Sequence, residues 1–283
     1  MKLFAFVFIL TWVARATAHG GIYTYNISGV LYQGNPWHVW DYGPFYGNGN
    51  ASGIPAGISS IQRRWYFWPI YDISTGNMTC NFDGAATNNS LYASVAAGST
   101  ILAQYNALKF TTTTVDKVLW FHQYGPLLVY MARCPGESCE SFDGKGAVWF
   151  KIAQYGLAPN ATNLRGPWLH ESMLTGENAT GFPVTIPKDL RAGNYLIRHE
   201  VINLQSDKSY GAQFYIQCAQ LKVNGPGDRF PSGEYMATFP GSYKPTDPGI
   251  ALAGAEISDG DLLPQYNTTD YPFPGPRVWN GET

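Results

Sequence analysis

Gly193-Asn194-Tyr195-Leu196-Ile197-Arg198-His199-Glu200-Val201-Ile202-Asn203-Leu204, followed after seven residues by Ala212-Gln213-Phe214-Tyr215-Ile216-Gln217-Cys218-Ala219-Gln220-Leu221-Lys222-Val223, is the stretch on which the fold turns. Both runs are rich in β-branched and aromatic residues, and neither carries a 3.6-residue apolar period, so each reads as a strand. Working outward, the same signature predicts strands over Ile22–Val30, Ser99–Asn106, Leu127–Arg133 and Val148–Ala153, separated by Gly, Pro, Asn and Ser clusters. Short strands joined by such loops make an all-β chain, an immunoglobulin- or fibronectin-like antiparallel sandwich. Residues 33–64, rich in Gly and aromatics, read as a surface excursion. From Gly225 onward Pro and Gly dominate and strand signals fade, as expected of an extended C-terminal tail over 225–283 lying across the sandwich.

Residues 1–18 read as a signal peptide. Lys2 supplies the positive end, Leu3 to Val13 form an apolar run too short to span a bilayer, and Ala16-Thr17-Ala18 offers the small residues of a cleavage site. Residues 19–283 then form a single domain with no separate carbohydrate-binding module, secreted to the extracellular space. Charged residues are 13% of the chain and the net charge is −2, which argues against nucleic acid or an anionic membrane as partner, since each needs a basic patch. Four cysteines in that compartment read as two disulfides, for which three pairings are possible. Cys134 and Cys139 suit a short local loop, leaving Cys80 and Cys218 to close a long one. Glycosylation sequons at Asn50, Asn77, Asn88, Asn160, Asn178 and Asn267 agree with export, whereas the sequon at Asn26 falls in a predicted strand.

Cleavage after Ala18 would make His19 the first residue. Its α-amine and ring Nδ1 can then chelate one metal ion together, which an amide nitrogen cannot do. The amine's ordinary pKa of about 7.7 to 8.0 lets a metal displace its proton near neutrality. A second imidazole would complete a three-nitrogen set whose geometry favours Cu(II) over Zn(II).

Taken in order, several segments resemble the fungal lytic polysaccharide monooxygenases of auxiliary activity family 9. They are His19-Gly20-Gly21-Ile22, Ile27-Ser28-Gly29-Val30-Leu31-Tyr32, Gly193–Glu200, Gly211–Cys218, Thr246-Asp247-Pro248-Gly249-Ile250 and Pro274-Gly275-Pro276. The resemblance implies an oxidative cut in β-1,4-glucan, cellulose or a related plant polysaccharide, by one copper ion per chain. It implies an external electron donor, O2 or H2O2 as co-substrate, and a monomeric protein. His19 matches the family's N-terminal ligand, Tyr215 its axial tyrosine and Gln213 the glutamine beside the oxygen site. Strand alternation puts Gln213 and Tyr215 on one face, about 7 Å apart.

The second imidazole is assigned to His122, although two residues separate it from Gly125-Pro126 where the family has one. His38, His170 and His199 read instead as hydrogen-bonded structural histidines. Gln205 stands where the family has a histidine that touches bound oxygen species; glutamine can donate a hydrogen bond there but cannot act as a general acid. That exchange opens a second reading, a copper- or polysaccharide-binding member with little or altered catalysis. Tyr271, ahead of Pro274-Gly275-Pro276, is expected on the substrate face, extended by Tyr266 and by Trp37, Trp40, Tyr42 and Tyr46.

Overall fold

The computed structural model describes residues 19–34, 59–82, 84–87, 89–110, 115–206, 209–254, 257–258 and 262–281. The leader, the loop aromatics from Trp37 to Tyr46, His38, Asn50 and Asn88 lie outside them.

Strands β1 (His19–Ile27), β2 (Val30–Gln33), β6 (Thr100–Phe110), β7 (Val115–Leu119) and β10 (Phe182–Thr185) form one sheet. Its order is β10-β6-β1-β2, with β7 also paired to β6. The second sheet runs β13 (Met236–Thr238), β9 (Ala147–Tyr155), β8 (Leu127–Arg133), β11 (Gly193–Asn203), β12 (Gln213–Asn224) and β5 (Ala93–Ala96). β3 (Ser59–Ser60) and β4 (Asn89–Ser90) pair separately. The chain is a β-sandwich, antiparallel except for the β12–β5 and β3–β4 pairs. Among the described residues no helix is long and apolar enough to cross a membrane.

The opening stretch lies at the centre of the second sheet, with β11 hydrogen-bonded to β12 on one side and β8 on the other. Tyr195, Ile197 and Val201 face the other sheet; Leu196 and Ile202 face a second apolar cluster under the long loops. Burial on both faces explains why apolar residues follow one another directly, as in Tyr195-Leu196-Ile197 and Val201-Ile202, instead of alternating with polar ones. On the outer face Arg198 forms a bidentate pair with Glu200 at 2.9 Å, both side chains fully buried. The guanidinium also donates to the carbonyls of Met78 and Thr79, and the Tyr243 hydroxyl donates to Glu200 Oε2. Every charge in this pair is therefore hydrogen-bonded, the condition under which a buried ion pair is tolerated.

Both disulfides form as Cys80–Cys218 and Cys134–Cys139. The first ties the segment beneath Arg198 to β12. The region after Gly225 is more than a covering: it contributes β13 to the second sheet, and Trp279 is fully buried with its backbone N–H on the Lys151 carbonyl. The predicted strand over Ile22–Val30 is in fact the hairpin β1–β2, turned at Ser28 and Gly29, both at positive φ. Asn26 sits in β1, half-buried, its Oδ1 accepting the Gly29 N–H.

Candidate metal centre

One end of the sandwich gathers the start of β1, the loop after β7, the end of β11 and the start of β12. β1 delivers His19 as its first residue, buried, with Trp68 tilted over it at a centroid distance of 3.9 Å and Phe67 edge-on at 6.2 Å. His122 lies in the irregular segment 120–126. That segment is fixed to β11 by hydrogen bonds from Ile202 N–H to the Pro126 carbonyl and from Leu204 N–H to the Tyr124 carbonyl. Gly125, at φ +119°, lets it lie this close, since a Cβ there would stand 2.0 Å from the Ile202 carbonyl oxygen. The extra residue between His122 and Gly125 is thus taken up in a loop, where it reverses no strand face. Thr175, capping helix α1 (Leu169–Leu174), donates its hydroxyl to the His122 carbonyl.

Tyr215, on the inner face of β12, places its hydroxyl 2.9 Å from His122 Nε2 and donates to Gln213 Oε1 at 3.2 Å. A phenol has one proton, so with that proton on Gln213 the contact to His122 runs from the ring N–H to the tyrosine oxygen. Gln213 Oε1 also accepts from Asn203 Nδ2 at 2.7 Å, and Gln213 Nε2 donates to the Tyr71 hydroxyl at 2.9 Å. His19 and Tyr215 ring centroids are 6.4 Å apart and those of His122 and Tyr215 5.4 Å. Four of the residues singled out from sequence, His19, His122, Gln213 and Tyr215, therefore meet in one place.

The donor set fits a late first-row metal that takes imidazole nitrogen. Burial, and then the neighbouring His122, lower the His19 pKa to about 3, which keeps the ring in its neutral, ligating form. His19 Nδ1 is buried with no hydrogen-bond partner, a cost that a bound metal would remove. Among the described residues no group of three or more His, Cys, Asp or Glu side chains is placed to hold a metal. Burial raises the Tyr215 pKa well above 10, so its proton is held firmly.

Other expectations are corrected. Gln205 lies just past the end of β11 with its side chain exposed; only its backbone touches Asn203, and Asn203 is the residue that reaches Gln213. The strand ends at Asn203, so alternation no longer carries Gln205 inward. Tyr271 is 5% exposed, its hydroxyl on the Gly249 carbonyl and its ring against Trp168 and Phe273. Tyr266 is buried likewise, with its hydroxyl on the Leu252 carbonyl. Neither offers a ring face to a polysaccharide. His170 accepts from Trp120 Nε1 at 3.0 Å as a structural histidine should, but His199 is buried with neither ring nitrogen hydrogen-bonded. Asn160, Asn178 and Asn267 are exposed and Asn77 half-buried.

Sequence reasoning missed Trp68, Tyr71, Asn203 and Trp120. Trp120 meets both His122 and Tyr215 edge-on, at 5.2 and 5.0 Å. Its position two residues before His122 was the only signal available.

The profile of Auxiliary Activity family 9 (formerly GH61) matches residues 19–261. A lytic polysaccharide monooxygenase-like protein of that family, CEL1 of Agaricus bisporus, is 34% identical over 271 residues, covering 95% of this chain and 72% of its own. Lytic polysaccharide monooxygenase B of Heterobasidion irregulare is 33% identical, with 94% of each chain covered. The crystal structure of a cellulose-active polysaccharide monooxygenase from M. thermophila superposes with a TM-score of 0.71 at 33% identity, covering 93% of this chain and all of that one. With the sandwich and the profile in agreement over nearly the whole of residues 19–283, the chain belongs to auxiliary activity family 9, the lytic polysaccharide monooxygenases.

Proposed function

We propose that this chain is a secreted, copper-dependent monooxygenase that cuts β-1,4-glucan oxidatively. The observation that carries the reading is the buried, unpartnered Nδ1 of His19 beside His122 and Tyr215. Once residues 1–18 are removed, the α-amine and ring of His19, with the ring of His122, would hold one copper ion, and Tyr215 would stand beside it. Copper, when bound, supplies one-electron redox chemistry toward O2 or H2O2.

The chain's own residues hold, orient and exclude water. Trp68 and Phe67 cover His19, and Trp120 packs edge-on against both His122 and Tyr215. Asn203 and Tyr71 fix the amide of Gln213, so that Oε1 faces the Tyr215 hydroxyl and keeps that proton out of reach of the neighbouring imidazole. In the overall reaction a sugar C–H at carbon 1 or carbon 4 becomes C–OH, and the hydroxylated carbon expels the glycosidic oxygen. With O2, two electrons from an external donor and two protons are consumed and one water forms; with H2O2, one water forms and no further electrons are needed. Oxidised oligosaccharides released from cellulose by the copper-loaded, reduced protein are the expected result. Their absence with copper demonstrably bound would refute catalysis.

A second reading, binding with little turnover, is supported by Gln205, a glutamine where the family has a histidine. Asn203, Gln205 and Gln213 offer hydrogen bonds but no acid that titrates near neutrality. Retention on glucan and an intact copper spectrum without oxidised product would select it.

A further inference from the structure

Tyr71 and Tyr210 stand exposed beside the metal centre, at 40% and 67%, their ring centroids 5.9 Å apart. Single exposed apolar side chains are ordinary, but two tyrosines in contact beside a functional site call for a ligand. They come from different parts of the chain: Tyr71 follows the segment that sets Trp68 over His19, and Tyr210 lies in the loop between β11 and β12. Only Tyr71 is wired inward. Its hydroxyl accepts from Gln213 Nε2, Gln213 Oε1 accepts from both Asn203 and Tyr215, and the Tyr215 oxygen meets His122 Nε2. A continuous line of polar contacts thus joins an exposed ring pair to a buried imidazole.

The direction of that line is fixed. Turning the Gln213 amide over would set its NH2 against the NH2 of Asn203 and leave Tyr71 facing a carbonyl, so Oε1 must stay inward and Nε2 outward. Tyr71, having accepted this bond, keeps its own hydroxyl proton to donate to whatever lies over it. Anything that pulls on the Tyr71 hydroxyl therefore acts on Gln213 and, through it, on the proton of Tyr215.

We propose that Tyr71 and Tyr210 form the seat of a glucan chain and that Tyr71 is a positioning residue that relays the seating of the sugar to Gln213 and Tyr215. The chemistry of the ligand follows from the pair. A β-linked pyranose has an apolar face of axial C–H bonds and a rim of hydroxyls, and a tyrosine ring matches both with its flat face and its edge hydroxyl. Tyr71 and Tyr210 take the role that the burial of Tyr271 denies it. The inference rests on the glucan reading above, and its test separates the two.

The full chain, processed at His19 and loaded with copper, is assayed for retention on amorphous cellulose and for the change that cellohexaose produces in its Cu(II) spectrum. Tyr210→Ala is expected to weaken retention about three- to tenfold, the scale of one ring contact, and to leave the sugar-free spectrum unchanged. Tyr210→Phe restores retention. Tyr71→Phe keeps the ring and binds within about twofold of the native protein, but loses the cellohexaose-induced spectral change. Retention of Tyr210→Ala equal to that of the native protein overturns the seat. A native spectral response in Tyr71→Phe overturns the relay. A native protein that neither binds cellulose nor responds to cellohexaose overturns the glucan reading itself, and this inference with it.

Discussion

Acidification from pH 7 to pH 5 should destabilise the metal-free protein by about 2 kcal/mol through His199 alone. The imidazole is fully buried in the sandwich, edge-on to Phe182 at 5.2 Å and beside Tyr25 at 5.8 Å, and neither nitrogen is hydrogen-bonded. Burial lowers its pKa from 6.5 to about 3. The unfolded chain therefore takes up a proton near pH 6.5 and the folded chain only near pH 3. The contribution is complete above 6.5 and is lost as pH falls toward 3. Over the interval from pH 6.5 to 5, at about 1.36 kcal/mol per pH unit, the loss is about 2 kcal/mol. His199→Leu removes the proton acceptor and breaks no hydrogen bond, at a cost near pH 7 of about 0.5 to 1.5 kcal/mol in ring contacts. Urea unfolding followed by tryptophan fluorescence, with chelator present, measures both proteins at both pH values. The stability gap should move by about 2 kcal/mol in favour of the variant on going to pH 5. An identical pH dependence in the two proteins would refute the argument that a neutral, unpartnered imidazole is buried there.

Glu200→Gln leaves the Arg198 guanidinium buried without its counter-charge and should cost about 3 to 5 kcal/mol in the same unfolding assay. Cys80→Ser with Cys218→Ser opens a loop of sequence separation 138 and should lower stability by roughly 4 to 5 kcal/mol by the chain-entropy argument, visible as a reduced thermal midpoint. One extra residue ahead of His19 converts the chelating amine to an amide, so copper affinity measured by calorimetry should fall by orders of magnitude while the thermal midpoint of the metal-free protein stays as it was.

Much of the sandwich is readable because its central strands are buried on both faces and carry consecutive apolar and β-branched residues. Leu127–Arg133 is placed to the residue, and the β11 and β12 stretches to within one. The β-rich pattern over Ile22–Val30 hides the hairpin at Ser28-Gly29, although a two-residue turn with Gly at its second position is a local signal. β7 and β10 were missed because each is at most five residues long, too short for a period to show. At the site, the residues that the family resemblance singles out, His19, His122, Gln213 and Tyr215, do lie together, and strand alternation keeps Gln213 and Tyr215 on one face of β12. Alternation fails where the chain leaves a strand. Gln205 lies exposed just past the end of β11 at Asn203, and only the three-dimensional course of the tail decides that Tyr271 is covered by Trp168 and Phe273. Tyr71 and Tyr210, far apart in sequence, carried no signal linking them.

The central claim is that His19 and His122 belong to one metal centre. Electron paramagnetic resonance of Cu(II)-loaded protein, processed so that His19 is the first residue, tests it against His122→Ala under the same loading. The expected result is a clear change in the copper spectrum, with loss of one imidazole nitrogen coupling, in a protein whose unfolding midpoint shows that it remains folded. A spectrum identical to that of the native protein would contradict it.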